Sequence, residues 1–334
     1  MSTIKTAGFH HVTLVCRDAQ RTTAFYRDLL GLKLVKQTVN FDLPTTRHLY
    51  FGDAAGTPIH HVALGVEDET GQLKWKRRLT DAGVPVTGPY NRGYFKSIYF
   101  EDPDGQILEI ATAGPGFAID EPADQLGQNI VQPKESQLPS GRDEAEIRAL
   151  THAEAVSEIT PEIALQGIHH VTGITNDIGA ANDFYQTALG LPLIKMTVNQ
   201  DDPKTLHFFW ANYDGKTIAP HSDMTLFGWP ANARKGREGV GQTHHIAFRV
   251  PDDDTQLAWR EELLRLGHDV SPVRDRTYFK SIYFRSPDGL LVEIATDGPG
   301  FAVDEDAGQL GQELKVPDFV RADPALAASV PSAV

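Results

Sequence analysis

Apolar and polar positions alternate with a period of two over short runs, switch to a helical period, and return to short runs, four times along the chain. The alternation is strongest in residues 94–118, YFKSIYFEDPDGQILEIATAGPGFA, and 278–302, YFKSIYFRSPDGLLVEIATDGPGFA. The two align without a gap at an offset of 184, with 19 of 25 positions identical. Each predicts two strands joined at a Pro-Asp-Gly turn and closed by Gly-Pro-Gly. Shorter strands open each cycle. GFHHVT at 8–13 returns as GIHHVT at 167–172, offset 159, and IHHVAL at 59–64 returns as THHIAF at 243–248, offset 184. A fixed self-similarity of this kind predicts structural repeats.

Helical periodicity follows each His-His pair, over residues 19–30, 71–81, 176–189 and 255–266, and Gly31, Gly83, Gly190 and Gly267 stand as stop signals. β-rich runs come next, LKLVKQTV and RHLYFG in the first cycle, LPLIKMTV and LHFFWA in the third. The chain therefore predicts an α+β fold built from four βαβββ units. His11 to His61 spans 50 residues but His170 to His245 spans 75, so the first unit is expected to lack the last strand that residues 224–227 give the third. The expected organisation is an N-terminal repeat of two units (1–118), a linker (119–166) with one helix near 143–157, a C-terminal repeat of two units (167–317) and a tail (318–334) without regular structure.

A formal net charge of −14 argues against nucleic acid or an anionic membrane surface as partner. Cys16 is the one cysteine, so no intrachain disulfide forms and a reducing cytoplasm is the default. The N-terminal residues read as no secretory signal, and no apolar run approaches the length of a membrane span.

Strand alternation separates the two histidines of each pair. His10, His60, His169 and His244 share the apolar face, whereas His11, His61, His170 and His245 share a face with Thr, Ala and Gly, where a ligand has room. Glu109 and Glu293 sit at repeat-equivalent places inside otherwise apolar strands, and a buried acid needs a cation or hydrogen-bonding partner. Two histidines and a carboxylate leaving open positions suit non-haem Fe(II) oxygenases. Zinc hydrolases use similar donors, so the set alone fixes the metal weakly.

The unit plan, the GxHHVT and THHIAF strands and the YFKSIYF…PDG…EIAT…GPGF blocks resemble the vicinal oxygen chelate (glyoxalase, bleomycin resistance and extradiol dioxygenase) superfamily, over about residues 8–302 less the linker. The likeness is closest to the ring-cleaving dioxygenases that open hydroquinones. The resemblance implies units paired into two open mixed-sheet barrels and a cytoplasmic enzyme inserting both atoms of O2 into a hydroquinone or catechol-like aromatic. It implies Fe(II), with Mn(II) the alternative, held by His11, His245 and Glu293 from the first and fourth units. His10, His244, Arg276 and Tyr283 map beside them, with His244 or His10 as candidate acid/base and Arg276 and Tyr283 orienting the substrate oxygen. The chain departs from that group in carrying a second set, His61, Glu109 and His170, accompanied by His60, His169, Arg92 and Tyr99. Ligand pairing as in catechol dioxygenases would instead join His170, His245 and Glu293. Without its last strand, the first–fourth barrel is expected to be the more open. A glyoxalase-type lyase needs a fourth ligand from a partner unit's last strand, and DMTLFGWP in the third unit holds no Glu. A non-catalytic small-molecule binding protein of the same fold is the remaining alternative, and a homo-oligomer is left open.

Overall fold

The computed structural model describes residues 5–52, 63–230 and 239–334. The first unit holds β1 (Phe9–Val15), α1 (Ala19–Thr23) continued by a π-helical turn (Ala24–Leu29), β2 (Lys33–Val39) and β3 (Arg47–Gly52). The second holds β4 (Ala63–Val66), α2 (Glu69–Asp81), β5 (Thr87–Asn91), β6 (Lys96–Glu101) and β7 (Ile107–Thr112). After α3 (Glu144–Ala149), the third holds β8 (Ile168–Thr175), α4 (Ile178–Thr187), β9 (Leu193–Val198), β10 (Leu206–Trp210) and β11 (Asp223–Gly228). The fourth holds β12 (Gln242–Val250), α5 (Asp253–Arg265), β13 (Arg274–Asp275), β14 (Lys280–Arg285) and β15 (Leu291–Thr296). An aspartate starts each unit's helix: Asp18, Asp68, Asp177 and Asp252 accept from backbone N–H groups of the first turn.

Strand pairing joins the first unit to the fourth and the second to the third. β1 runs antiparallel to β12 in a sheet ordered β1-β12-β15-β14-β13. β4 runs antiparallel to β8 in a sheet ordered β5-β6-β7-β4-β8-β11-β10-β9. In the second sheet β11 bridges β8 and β10. Among the described residues no strand plays that part between β1 and β3, so β2 and β3 form a separate two-stranded sheet. The result is an α+β fold of curled open sheets in which strands dominate. Helices α2 and α5 lie on the outer faces, each anchored by a fully buried tryptophan, Trp75 and Trp259. The amides of Gln72 and Gln256 each donate to two sheet carbonyls, Lys96 and Ile110 in one case, Lys280 and Ile294 in the other.

The repeat continues beyond each Gly-Pro-Gly as a strap across the partner unit. Lys36 of β2 is fully buried against Asp304 and Glu305, and Lys195 of β9 against Asp120 and Glu121. Leu314 then bridges Gln37, and Ile130 bridges Met196. Gly311 (φ +75) and Gly127 (φ +71) pass so close to Leu34 and Leu193 that a Cβ would fall 2.1 and 2.3 Å from their carbonyl oxygens. Residues 119–166, read from the sequence as a linker, thus begin as a strap. Farther on, the Lys76 ammonium ties α2 to the carbonyls of Ile147 and Arg148.

The tail differs from its expectation. It forms α6 (Asp318–Arg321) and α7 (Pro324–Ser329), with Val320 fully buried and the Phe319 ring 5.9 Å from Phe41. The cause is local: Asp323 caps α7, and the Val334 N–H donates to Gln37. Among the described residues no helix is long and apolar enough to cross a membrane.

Removing the cation from a strap leaves two adjacent acids without it. Lys36→Met is expected to lower the unfolding free energy by about 3–5 kcal/mol, as for other broken buried pairs. The exposed Arg321–Asp318 pair serves as control, with Arg321→Met changing it by less than about 1 kcal/mol. Urea unfolding monitored by circular dichroism measures both.

Candidate metal centre

The site follows from register. Tyr283, Glu293, Ala247 and His11 stand opposite one another on β14, β15, β12 and β1, forming one row across four strands. Ala247 carries only a methyl group, so Glu293 and His11 lean toward each other over it. His245 lies two residues before Ala247 on β12 and therefore on the same face. The three side chains converge: Glu293 Oε2 lies 2.9 Å from His245 Nε2 and 3.4 Å from His11 Nε2, and the two Nε2 atoms are 3.0 Å apart. Their donor atoms all lie within 4.8 Å of one another, the one such group among the described residues.

The surroundings leave these atoms free to ligate. The Ser281 hydroxyl donates to Glu293 Oε1, while Oε2 is buried without a hydrogen-bond donor. His11 Nδ1 is 2.7 Å from His10 Nδ1. In the tautomer that frees His11 Nε2, His11 Nδ1–H donates and His10 Nδ1 accepts. The lone pair of His11 Nε2 then points at the centre. His245 Nδ1 meets His244 Nδ1 in the same way at 2.8 Å. Burial, then the neighbouring His11, pulls His10 down to about 3, and burial likewise lowers His245, so both are neutral at pH 7. Burial alone would raise Glu293, but His11 and His245 hold it well below the usual carboxylate range. Three lone pairs thus meet at a point with fewer protons than acceptors. A divalent cation fits that donor set of two imidazoles and a carboxylate.

The other expected residues surround this point. Arg276 Nε donates to the Tyr283 hydroxyl at 3.3 Å, and its other end pairs with Asp42 at 2.8 Å. The Tyr283 ring stands edge-on to His245 at 5.9 Å. His10 is wedged against Phe279 at 4.9 Å. Tyr50 was not singled out from the sequence. Its hydroxyl is 3.1 Å from His48 Nδ1, and it is near enough to Tyr283 and Glu293 for their charges to help raise its pKa, after burial. The signal was present in the repeat, since the equivalent position in the third unit, at the 159 offset, is Phe209.

The second set is only partly in view. His60 and His61 lie outside the described residues. Glu109 Oε2 and His170 Nε2 are 3.3 Å apart, with Ser97 donating to Glu109 Oε1 and Arg92 Nε donating to Tyr99 at 3.1 Å. Despite burial, which opposes both shifts, each partner favours the other's charged form: Glu109 is lowered and His170 raised. This pair borders a cavity of about 1590 Å3, which also reaches His244. The cavity is lined by residues of the second and third units together with 241–244 and 286–291 of the fourth. Asp223 stands in register beside His170 on β11. The sequence reading sought a glutamate in that strand and passed over the aspartate at its start. Burial raises Asp223 to about 7.

The sequence profile of the Glyoxalase/Bleomycin resistance protein/Dioxygenase superfamily matches residues 8–110 and 167–294. The chain belongs to this superfamily. Within it, the chain is 32% identical to Bacillus subtilis (strain 168) MhqO, provisionally named a ring-cleaving dioxygenase, over 94% of this chain and 92% of MhqO. It is 28% identical to the chlorohydroquinone/hydroquinone 1,2-dioxygenase of Sphingobium indicum, covering 92% of this chain and 91% of that one. A crystal structure of a provisionally assigned dioxygenase from B. subtilis superposes with a TM-score of 0.73 at 30% identity, over 99% and 98% of the two chains. Glyoxalase I of Zea mays shares the fold, with a TM-score of 0.56 at 15% identity over 87% and 92%.

Ser281 fixes which Glu293 oxygen faces the histidines. Ser281→Ala is expected to weaken divalent-cation binding about 10–100-fold, the usual effect of removing a residue that orients a ligand. Titration of chelator-treated protein with Mn2+ measures it.

Proposed function

We propose that the chain is an Fe(II)-dependent ring-cleaving dioxygenase acting on a hydroquinone or catechol-like aromatic, with His11, His245 and Glu293 as its metal ligands. The convergence of these three donors carries the reading, and the dioxygenase names of full-length relatives support it. Fe(II), when bound, would supply open coordination positions through which electrons pass from an aromatic diol to O2. Mn(II) suits the same donors less specifically. An aromatic substrate and O2 are the partners, and the lone cysteine is in keeping with a cytoplasmic setting.

The chain's own residues do the positioning. Tyr283 and Arg276 form a donor couple beside Glu293, placed to hold a phenolic oxygen and stabilise its anion. Tyr50 with His48 offers a second polar edge to the same space. His10 and His244 abut the far nitrogens of the ligand imidazoles. That placement favours an orienting role over the acid/base role suggested by sequence, most clearly for His10, which burial keeps neutral.

Anaerobically purified protein should contain iron and consume O2 with hydroquinones or catechols. Glu293→Gln is expected to abolish uptake. Tyr283→Phe should lower kcat about 100-fold, as for loss of one donor to a developing oxyanion. Uptake that survives Glu293→Gln but not Glu109→Gln would move the reaction to the second–third units. Zinc or nickel alone, with methylglyoxal–thiol activity, would replace the reading by a glyoxalase-type lyase.

A further inference from the structure

The turn between β2 and β3, residues 40–46, reaches across to the fourth unit through an acid. Asp42 accepts from Arg276 Nη2 at 2.8 Å, and Arg276 Nε donates to the Tyr283 hydroxyl at 3.3 Å. The two bonds are unequal. The first is a charge-assisted contact of ordinary length, whereas the second is long for an N–H···O bond. Asp42, more than Tyr283, therefore aims the flexible arginine side chain. The turn fixes Asp42 in its own place. The Asn40 side chain accepts from the backbone N–H groups of Asp42 and Leu43, and the Asn40 N–H donates to the Thr46 carbonyl. Next to it, the Phe41 ring packs edge-on against Phe319 of α6 at 5.9 Å.

The repeat shows what this arrangement lacks. At offsets of 159 and 184, Asp201 and Arg92 are the counterparts of Asp42 and Arg276. Arg92 donates to Tyr99, Gln200 and Asp201, each at 3.1 Å, and Asp201 is held again by Arg142 at 2.7 Å. Phe41 stands where Gln200 does and its side chain accepts no hydrogen bond, and Leu326 is the counterpart of Arg142. Among the described residues Arg276 thus depends on a single acid, where Arg92 is over-determined. The Asp42 side chain is 64% exposed, and an ion pair so open contributes little to stability. Its effect is on direction: without it, only the 3.3 Å bond holds the guanidinium to Tyr283.

We propose that Asp42 is a positioning residue for the ring-cleavage site, holding Arg276 in the orientation that serves Tyr283 and the phenolic oxygen of a bound aromatic. The inference rests on the reading of Arg276 and Tyr283 as the couple that holds that oxygen. Asp42 touches neither the metal ligands nor Tyr283 and acts through Arg276. Because Asp42 belongs to the first unit and Arg276 to the fourth, the donor couple is complete only when those units pair.

O2 uptake with hydroquinone by the iron-loaded full-length chain is measured in a double-mutant cycle over Asp42→Asn and Arg276→Met. Asp42→Asn is expected to lower kcat/KM about 10–100-fold, the scale of a misplaced positioning group, with the urea midpoint and Mn2+ affinity unchanged. Added to Arg276→Met it should cost nothing further, and Asp42→Glu should recover part of the loss. Asp201→Asn, the same position in the other turn, should leave uptake unchanged. The cycle is also read without turnover, from the absorbance of 4-nitrocatechol binding to chelator-treated, Mn2+-loaded protein. There Asp42→Asn should weaken binding in the presence of Arg276 and not in its absence. Uptake and 4-nitrocatechol affinity within about twofold of wild type in Asp42→Asn overturn the proposal. Losses that add to those of Arg276→Met overturn it too, as does an Asp42→Asn chain that no longer unfolds cooperatively, since either makes the contact a structural tie of the turn. A wild-type chain without O2 uptake removes the proposed reaction, and the 4-nitrocatechol cycle then decides on Asp42 by itself. A wild-type chain that shows neither uptake nor 4-nitrocatechol binding overturns both.

Discussion

A carboxylate at the centre of a sheet, shielded from water, has to be answered by groups from elsewhere in the chain. Glu293 is fully buried in β15, and its neighbours on β12 and β14 contribute one histidine and one serine. The remaining donor, His11, comes from the first strand of the chain, and only β1 lying beside β12 can deliver it. Ala247 makes the contact physically possible, because any larger side chain at that register position would stand between the acid and the histidine. One polar contact and one methyl group thus decide which units are neighbours. The same arithmetic of strand spacing applies to Glu109, Ala63 and His170 in the other sheet.

Duplication supplied two copies of this solution, and the copies have separated chemically. The first–fourth copy has a tyrosine hydroxyl, Tyr50, where the second–third copy has the bare ring of Phe209. The second–third copy has β11, and with it Asp223, where the described residues of the first unit provide no strand. The first copy therefore has an added neutral hydroxyl beside its centre. The second has a further buried carboxylate, Asp223, and borders a cavity of about 1590 Å3. Matching strands do not make matching sites when the residues at the margins of the row differ.

Much of this was legible in the sequence because repeats report equivalence directly. The four His-His pairs, the two acids and the Arg–Tyr couples stand out at offsets of 159 and 184, and strand alternation identifies which histidine of each pair faces the site. What the sequence left open was the partner of each unit, because pairing depends on contacts between residues hundreds of positions apart. Asp223 escaped notice because only a glutamate was sought in its strand, although its register with His170 matters more than its side-chain length. The straps were hidden by composition: residues 119–133 and 304–316 are polar and rich in Asp, Glu and Gln, as linkers are. Their order comes from single buried lysines on the partner unit, Lys36 and Lys195. The tail misled similarly, its order resting on Val320 and a few terminal hydrogen bonds.

The pairing of first with fourth and second with third also nests one module inside the other along the chain. The inner module is contiguous: its strands begin with β4 and end with β11. The outer module opens with β1 and lacks its carboxylate until β15. On a ribosome the inner sheet has all its strands well before the outer one does, and β1 must wait, unpaired, while the intervening units are made. The contacts that close the metal centre are among the most distant in sequence that the fold contains, a topology that slows assembly and exposes an apolar strand in the interval. The site proposed to meet O2 is thus completed only after the whole inner sheet has been made.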